Sequence, residues 1–306
     1  MNILSLFDGI SGAMLALKQS NIKVKRYFAS EIDKYCIDVS KKKFPEIIQL
    51  GDVKNINLRE LPKIDLLIGG SPCQDLSNAY KGDGLEGIRS SLFFDFIKIR
   101  KIINPKYFVL ENVKNKWKKI MDDYVGEEGI TINSQSFTSQ FRPRCYWSNI
   151  PIDPITINSN LKILDILEKK PVDQRFYFPI QFLNGFNIVK FQNTEKKGII
   201  KIYDIPRNLL KDNERQRRVY SVYGKSPTLL ARSDTPKIYF QKKLRKLTPL
   251  ECERLQGITD NHTLNLSNTQ RYKAIGNSFT IPVISHILKN IGKKKKTQMR
   301  IFDEIY

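Results

Sequence analysis

The chain has 306 residues, of which 41% are hydrophobic, and this is enough for the core of one large domain or of a large and a smaller one. This composition excludes a disordered chain. The 52 lysine and arginine residues exceed the 31 acidic residues by 21, which favours a polyanionic partner such as nucleic acid, although a genome biased toward lysine would give the same excess.

Cysteine and histidine usage argues against several kinds of site. The four cysteines are far apart and form no CxxC pair, so we expect neither a metal site nor a disulfide framework: Cys36, Cys73, Cys145 and Cys252. Only His262 and His286 occur, which argues against a histidine-based triad. Residues 1–17 contain Asp8, and no run of about 18 apolar residues occurs elsewhere. We therefore expect a cytoplasmic protein in a reducing compartment, without a membrane span.

The first half of the chain alternates short apolar runs with helical patterns, which is typical of an α/β protein with a mostly parallel sheet. The patterns predict strands at 2–6, 27–30, 47–50, 64–68, 107–110, 131–137 and 145–150. They predict helices that begin near Met14 and that span 91–103 and 113–121. The polar segment 77–90 contains three glycines, so we expect it to be a mobile loop.

Glycines and acids follow the first three predicted strands. The turn FDGISG (7–12) places two glycines between a strand and a helix, where the backbone can approach an anionic ligand. Glu31 follows the second strand, about 20 residues after the glycines of the first turn, which is the sequence separation at which an acid binds ribose hydroxyls. Asp52 follows the third strand. Each acid alone would fit a solvated loop, but together they predict one edge of a nucleoside pocket.

Two candidate catalytic residues follow the next two strands. Cys73 lies in GGSPCQ (69–74) just past a buried strand, where a thiolate nucleophile would be placed, although a half-buried thiol in a turn has the same pattern. Glu111 follows strand 107–110, and a desolvated carboxyl there would have a raised pKa and could donate a proton. The alternative is a neighbour of Asn112 acting as a helix cap.

Basic residues characterise the second half of the chain. QFRPR (140–144) forms a cationic corner suited to a phosphate or a base carbonyl, or a solvated basic turn. Between 151 and 244 short β-like runs alternate with basic and aromatic residues, at 176–178, 199–203, 219–223 and 238–240. This favours a second, smaller, mainly β region that suits duplex recognition. Helices are predicted at 248–255, 269–275 and 278–291, the last capped by Asn277 or Ser278, before the basic tail 293–296.

In this order the motifs resemble those of the C5-cytosine DNA methyltransferases. The matching segments are FDGISG (7–12), SEID (30–33), GD (51–52), GGSPCQ (69–74), SSLFF (90–94), LENV (110–113), QFRPR (140–144), SPTL (226–229), RKLTPLECERLQG (245–257) and YKAIGNSFTIPV (272–283). Residues 69–96 are also similar to the animal de novo branch. The resemblance implies a Rossmann-like, S-adenosylmethionine-dependent catalytic domain at 1–170 plus 277–306, and a target-recognition domain at 171–276.

The resemblance also implies roles for individual residues. Cys73 corresponds to the nucleophile that adds to C6 of cytosine, and Glu111 to the carboxyl that protonates N3. Arg144 corresponds to a residue that contacts the flipped base, with Gln140 and Arg142 supporting the site. Positions around S-adenosylmethionine are matched by Phe7, Gly9, Gly12, Glu31, Ile32, Asp52, Val53, Leu92, Asn277 and Ser278, with Glu31 on the ribose and Asp52 on the adenine amino group. DNA-recognition positions are matched by Ser77, Thr228, Leu229 and Arg232.

The implied protein is a monomeric enzyme that needs no metal, acts on double-stranded DNA, and has a cognate restriction endonuclease as a candidate partner. Residues 248–257 would brace the recognition domain. Asp8 departs from the family pattern, because bacterial members usually have a small residue there. Two alternatives in the same family are a catalytically silent DNA-binding relative and a tRNA methyltransferase. The intact catalytic residues argue against the first, and the lack of a Cys-Phe-Thr insert argues against the second. A nicotinamide dehydrogenase would need a third glycine in the first turn.

Overall fold

The computed structural model describes residues 1–71, 91–155, 159–183, 192–194, 198–233 and 236–293. Its larger layer is a seven-stranded sheet built from β1 (Asn2–Leu6), β2 (Arg26–Ser30), β3 (Ile48–Gln49), β4 (Leu66–Gly70), β5 (Tyr107–Val113), β6 (Ile130–Asn133) and β7 (Pro143–Ser148). The spatial order is β3-β2-β1-β4-β5-β7-β6. The first five strands are parallel, and β7 runs antiparallel to both β5 and β6. The predicted mostly parallel α/β fold is therefore confirmed.

The helices in chain order are α1 (Gly12–Gln19), α2 (Lys34–Lys43), α3 (Ser91–Ile103), α4 (Lys118–Val125), α5 (Ile163–Ile166), α6 (Glu214–Arg217), α7 (Pro249–Leu255), α8 (Asn268–Asn277) and α9 (Ile281–Leu288). The last helix, α9, packs against the first, α1, and the Ser285 hydroxyl of α9 donates to the Ala16 carbonyl of α1 at 3.3 Å. The two ends of the described chain therefore lie side by side.

Alternating strand residues fill the two faces of this sheet. Ile3 and Ile68 belong to the core cluster that packs against α1 and α9, whereas Leu4 and Leu67 belong to the cluster that includes the phenylalanines of α3. All four are completely buried. Side chains of a strand point alternately to its two faces, so an apolar run covered by helices on both sides must be hydrophobic at every position.

A second sheet lies between β7 and α7 in the chain. It consists of β8 (Gln192–Thr194), β9 (Ile199–Asp204), β10 (Arg218–Ser221), β11 (Lys237–Phe240) and β12 (Lys243–Lys246), in the order β12-β11-β10-β9-β8. It has a small core of its own around Ile205, Val219 and Leu244. The predicted second, mainly β region is confirmed. Residues 176–178 are not a regular strand, because a 3₁₀ turn at Gln174–Phe176 leaves Tyr177 in a single bridge to Arg245.

The start of α7 fastens the second sheet to the rest of the chain. Arg245 of β12 binds Glu251 through both guanidinium ends, at 2.7 and 2.8 Å, and both side chains are almost fully buried. Glu251 also accepts from the main-chain N–H of Thr248, which completes a capping box at the helix start. This agrees with the bracing role predicted for 248–257. The predicted domain boundary after residue 276 falls in the last turn of α8.

Two predicted helices begin at other residues in the structure. The helix predicted at 113–121 begins at Lys118, because β5 pairs with β7 as far as Val113, opposite Arg144. The last helix begins at Ile281 with Thr280 as its N-cap, so the predicted start at 278 is wrong. Asn277 instead ends α8, and Ser278 is the C-cap of that helix. Pro282 in the first turn of α9 suits this later start.

Candidate active site

The strand ends of the parallel sheet share one edge, and the loop 7–12 crosses this edge between β1 and α1. Phe7, Gly9 and Ser11 have left-handed backbone conformations, with φ of 57°, 57° and 59°. A Cβ added to Gly9 would meet no atom within 4 Å, so the space above the loop is open. The loop therefore offers backbone groups to a ligand at the carboxyl ends of the strands.

Glu31 is held by this loop and by its own chain neighbours. Its Oε2 accepts from the Gly9 N–H at 2.8 Å, and its Oε1 accepts from the N–H groups of Ile32 and Asp33, both at 2.8 Å. A carboxylate oxygen can accept more than one hydrogen bond, so the group retains capacity for ligand hydroxyls. Beside it, the Ile32 side chain is 74% exposed.

The remaining cofactor candidates lie around the same edge. Asp52 follows β3 and caps a 3₁₀ turn by accepting from the Lys54 N–H at 3.0 Å. Val53 is buried, and Leu92 is partly buried in the cluster on the α3 side of the sheet. A Cβ on Gly12 would lie 3.1 Å from the Ser278 hydroxyl, so the loop and the end of α8 meet here. Asn277, the residue before Ser278, is exposed.

Glu111 lies inside β5, paired with Gly70 of β4 and Tyr146 of β7. A Cβ on Gly70 would lie 3.0 Å from Glu111 Oε2 and 2.8 Å from the Phe279 ring. Glycine at 70 therefore leaves the room that the carboxyl and this ring occupy.

An arginine faces this carboxyl. Arg144 Nε lies 3.1 Å from Glu111 Oε1, and both side chains are 14% exposed. Burial raises the pKa of Glu111, while the positive charges of Arg144 and Arg142 oppose the rise. The result is a carboxyl that can hold a proton beside a fixed cation.

Asn112 connects Glu111 to the segment that leads to Cys73. Its side-chain amide donates to the Ser71 hydroxyl at 2.9 Å, and both residues are buried. The amide thus fixes the end of the chain segment that leaves β4, instead of capping a helix. Cys73 and Ser77, together with the predicted mobile loop 77–90, lie outside the described residues.

Gln140 and Arg142 are buried and hold backbone segments in place. Arg142 donates to the carbonyls of Leu229 at 3.0 Å, Gly276 at 3.0 Å and Ser278 at 3.2 Å. Gln140 accepts from the Leu229 N–H at 2.8 Å. The pair therefore joins the segment before β7, the last residue of the SPTL turn and the end of α8. Of the two motif arginines, Arg144 is the one that forms an ion pair with Glu111.

The candidate DNA-recognition residues differ in exposure. Leu229 is 3% exposed, so its side chain offers almost no surface to DNA. The Thr228 hydroxyl donates to the Phe141 carbonyl at 2.8 Å, which ties the turn to the QFRPR segment. Arg232 is exposed and lies 3.5 Å from the Asp212 carboxylate. Of the three, Arg232 is the side chain that is most available to a nucleic acid.

Gln256 belongs to this arrangement, although its sequence context predicts no role for it. It is fully buried, and its Oε1 accepts from Gln140 at 3.1 Å and from the Thr280 hydroxyl at 2.8 Å. Its Nε2 donates to the carbonyls of Ile275 and Ser278. A single glutamine after a helix carries no local signal, because its partners are far away in the sequence.

Within the described residues, no cluster of acids, histidines and cysteines has metal-binding geometry. None of the described helices is both long enough and apolar enough to cross a membrane.

The family model for C-5 cytosine-specific DNA methylase matches residues 1–125 and 127–293 of this chain. The chain belongs to this family. It is a DNA cytosine-5 methyltransferase, and its relatives include type II enzymes. The type II methyltransferase M1.ScrFI of Lactococcus lactis subsp. cremoris is 32% identical over 96% of this chain and 79% of its own length. M.HhaI of Haemophilus parahaemolyticus is 27% identical over 95% of this chain and 94% of its own length.

Solved structures share the fold of this methylase. The Entamoeba histolytica methyltransferase EhMeth has a TM-score of 0.72 at 17% identity, and covers 95% of this chain and 97% of its own. The Schizosaccharomyces pombe Dnmt2 methyltransferase has a TM-score of 0.69 at 15% identity, and covers 94% of this chain and 97% of its own. At these identities the likeness shows the fold alone.

Proposed function

We propose that this methylase acts on a cytosine flipped out of a short duplex DNA site, with Cys73 as nucleophile, Glu111 as proton donor and S-adenosylmethionine as cofactor. The observation that supports this most directly is the partly enclosed Glu111 carboxyl, 3.1 Å from Arg144 at the edge of the sheet. A proton-holding carboxyl beside a cation suits a heterocycle with one basic nitrogen and one carbonyl. Cytosine has both, at N3 and O2.

The residues at the other side of this edge fit S-adenosylmethionine. Glu31 presents a fixed carboxylate to the ribose hydroxyls, and the exposed Ile32 side chain offers an apolar surface for the adenine ring. Asp52 lies at the end of the next strand and would accept from the adenine amino group. The cofactor, when bound, supplies an electrophilic methyl group. The open space above Gly9 supports a ligand that lies close to the backbone.

The chemistry explains why a thiolate and an acid are both needed. Cytosine C5 is too weak a nucleophile to accept a methyl group directly. Addition of the Cys73 thiolate to C6, with transfer of the Glu111 proton to N3, breaks the C5–C6 double bond and forms an enamine that is nucleophilic at C5. After C5 is methylated, a base removes the C5 proton and the Cys73 thiolate leaves. The C5–C6 double bond forms again, and the N3 proton returns to Glu111.

Arg144 and Arg142 divide the work of holding this site. Arg144 keeps Glu111 in place and would contact the flipped base, because its Nε faces the carboxyl at the open edge. Arg142 and Gln140 act as positioning residues, since they bind main-chain groups in the interior. Flipping the cytosine costs a few kcal/mol of stacking and pairing, which contacts in the cleft must offset.

We propose that residues 171–276 recognise the DNA. The net charge of +21 supports attraction to phosphates, and the exposed Arg232 beside the SPTL turn is a candidate for base or phosphate contact. Leu229 then serves as the buried anchor of that turn. The type II names of the relatives support a cognate restriction endonuclease as partner.

Methyl incorporation with two substituted proteins tests the mechanism. Cys73→Ser replaces the thiolate with a poor nucleophile, so we expect no transfer of labelled methyl groups while DNA affinity stays within about threefold. Glu111→Gln keeps the size of the side chain but has no proton of suitable acidity, so we expect turnover to fall about 100-fold or more. A Cys73→Ser protein that still methylates DNA would rule out the covalent mechanism. Near-normal rates for Glu111→Gln would remove this carboxyl from the acid role.

Two further measurements address the DNA. Bisulfite sequencing of DNA from cells that express the chain reports whether cytosines are methylated and in which sequence. The logarithm of the DNA affinity should also fall linearly with the logarithm of salt concentration, with a slope of about −0.9 for each phosphate contacted. A flat salt dependence would contradict the electrostatic part of the proposal.

A further inference from the structure

A buried carboxylate lies inside the loop 7–12 and has no place in the chemistry of methyl transfer. Asp8 is 4% exposed. Its Oδ1 accepts from the Tyr27 hydroxyl at 2.6 Å, and its Oδ2 accepts from the Ser11 hydroxyl at 2.7 Å. The side chain thus points into the protein, away from the open space above Gly9.

The hydroxyl groups around Asp8 form a chain of bonds that ends at its carboxylate. The Ser11 and Ser40 oxygens lie 2.8 Å apart, and the Gln49 amide donates to the Ser40 hydroxyl at 2.9 Å. Ser11 has one hydroxyl hydrogen, which it gives to Asp8, so Ser40 is the donor of the bond between the two serines. This series of hydrogen bonds links the loop to α2 and β3, while Tyr27 links the loop to β2.

The protonation states of Asp8 and Tyr27 agree with these roles as acceptor and donor. Burial raises the pKa of Asp8 to about 6, so the carboxyl is ionised at neutral and higher pH and can accept from both hydroxyls. The pKa of Tyr27 is raised well above its usual value by burial and by the charge of Asp8, so this phenol keeps its hydrogen. Glu31 is the other acid whose charge acts on Asp8, and it raises the same pKa.

The hydrogen bonds of Asp8 hold its neighbours Phe7 and Ser11 in a backbone conformation that residues other than glycine rarely adopt. Phe7 and Ser11, on either side of it, have φ of 57° and 59°, where a side chain crowds the main chain. The bond between Ser11 and Asp8 therefore offsets strain in the loop. From the opposite side, the His262 Nε2–H donates to the Ile10 carbonyl at 2.8 Å, because a carbonyl can only accept.

The loop in turn holds the acid proposed to bind the ribose. The Gly9 N–H, one residue past Asp8, donates to Glu31 Oε2 at 2.8 Å. A shift of the loop would remove this donor and turn the carboxylate. We infer that Asp8 is a positioning residue for cofactor binding: its carboxylate fixes the left-handed path of the loop 7–12 and thereby the orientation of Glu31. The inference rests on the proposed cofactor site, and it explains how a buried acid in the place of a small residue supports that site.

Isothermal titration of the full chain with S-adenosylmethionine tests this inference. Asp8→Asn keeps the volume but loses one acceptor oxygen and the charge, so we expect the Kd to rise about tenfold, the ratio typical of one lost charge-assisted hydrogen bond. At saturating S-adenosylmethionine, kcat and the Kd for DNA should stay within about twofold. Tyr27→Phe removes one donor and keeps the ring, so we expect a smaller rise of about threefold.

Asp122→Asn is the control at a distance from the loop; Asp122 differs from Asp8 in that it also forms an ion pair with Lys118, at 2.7 Å. Asp122 also accepts from an aromatic ring donor, Trp147 Nε1 at 2.6 Å, and from a main-chain N–H, that of Gly129 at 3.0 Å. It lies on α4, which has no part in the loop 7–12. We expect its substitution to lower the thermal stability and to leave the Kd for S-adenosylmethionine within about twofold.

The outcomes separate the positioning role of Asp8 from the cofactor site itself. If the unsubstituted chain binds S-adenosylmethionine, and Asp8→Asn or Tyr27→Phe binds it equally well, the positioning role is wrong. The same holds if Asp122→Asn weakens cofactor binding as much as Asp8→Asn does, or if Asp8→Asn lowers kcat without a change in KM. If the unsubstituted chain does not bind S-adenosylmethionine, the proposed cofactor site fails instead. Should Asp8→Asn fail to fold, Tyr27→Phe carries the test alone.

Discussion

Removal of the Arg144 guanidinium should destabilise this methylase by an amount that depends on pH. Arg144 Nε lies 3.1 Å from Glu111 Oε1, and each side chain is 14% exposed, so solvent screens the pair weakly. Arg144→Ala would leave Glu111 partly enclosed without its nearest cation. The carboxyl must then either stay ionised at a cost or take up a proton.

The sign of the pH dependence follows from the pKa of Glu111. Burial already raises this pKa, and Arg144 is the larger of the two charges that oppose the rise. Without Arg144 the folded-state pKa rises further, so the folded variant holds a proton that the unfolded chain has lost. Its stability therefore falls as pH increases. We expect a cost of about 1 kcal/mol at pH 5, where the neutral carboxyl loses one hydrogen bond, and about 3 kcal/mol at pH 8.

Urea unfolding at pH 5 and pH 8 measures these two costs. Arg175→Ala is a suitable control, because Arg175 pairs with Asp173 at 2.9 Å but the two side chains are 66% and 49% exposed. Solvent screens that exposed pair, so its removal should change stability little at either pH. Equal costs for Arg144→Ala at the two pH values would refute the claim that Arg144 opposes the rise in the pKa of Glu111.

Three further predictions concern other buried contacts. Arg142→Met leaves the three carbonyls that Arg142 now binds without this donor, so we expect a loss of about 3–5 kcal/mol in urea unfolding, and a loss below 1 kcal/mol would contradict the joining role. Gly276→Ala would place a Cβ 2.7 Å from the Ala231 N, so the melting temperature and the DNA affinity should both fall, and wild-type DNA affinity would be the contrary result. Because the pKa of Asp8 is raised from 3.8 to about 6, stability relative to Asp8→Asn should fall by about 3 kcal/mol in all as pH rises from about 3 to about 7 and then stay level; an unchanging difference would contradict the raised pKa.

Local sequence patterns predicted the elements whose hydrophobic period is complete. The strand at 2–6 and the helix at 91–103 have the predicted bounds, because continuous apolar runs and a helical repeat leave few alternatives. The element bounds failed where a distant strand decides them. β5 continues to Val113 only because β7 pairs with it, and β7 lies about 30 residues further along the chain.

In the candidate site, too, the sequence predicted some of the residues, but not the contacts that they make. Residue types at the predicted strand ends made Glu31, Asp52 and Glu111 candidates, since a parallel sheet brings such ends to one edge. The partners of these residues were not predictable. The bond from Gly9 to Glu31 spans 22 residues, and the bond from Arg142 to Ser278 spans 136. Burial also changed the interpretation of Leu229, which a motif placed at the DNA and the structure places inside.

The sequence by itself determined the fold class, the family and the set of chemical groups in this methylase, because these depend on local periodicity and on short motifs in a fixed order. Only the tertiary structure decided which groups act on which. A hydrogen bond or an ion pair forms when two side chains come within about 3 Å, and chain separation says little about that distance. Asp8 shows this most clearly, since the sequence presents it as a departure from the family and the fold surrounds it with two hydroxyl donors.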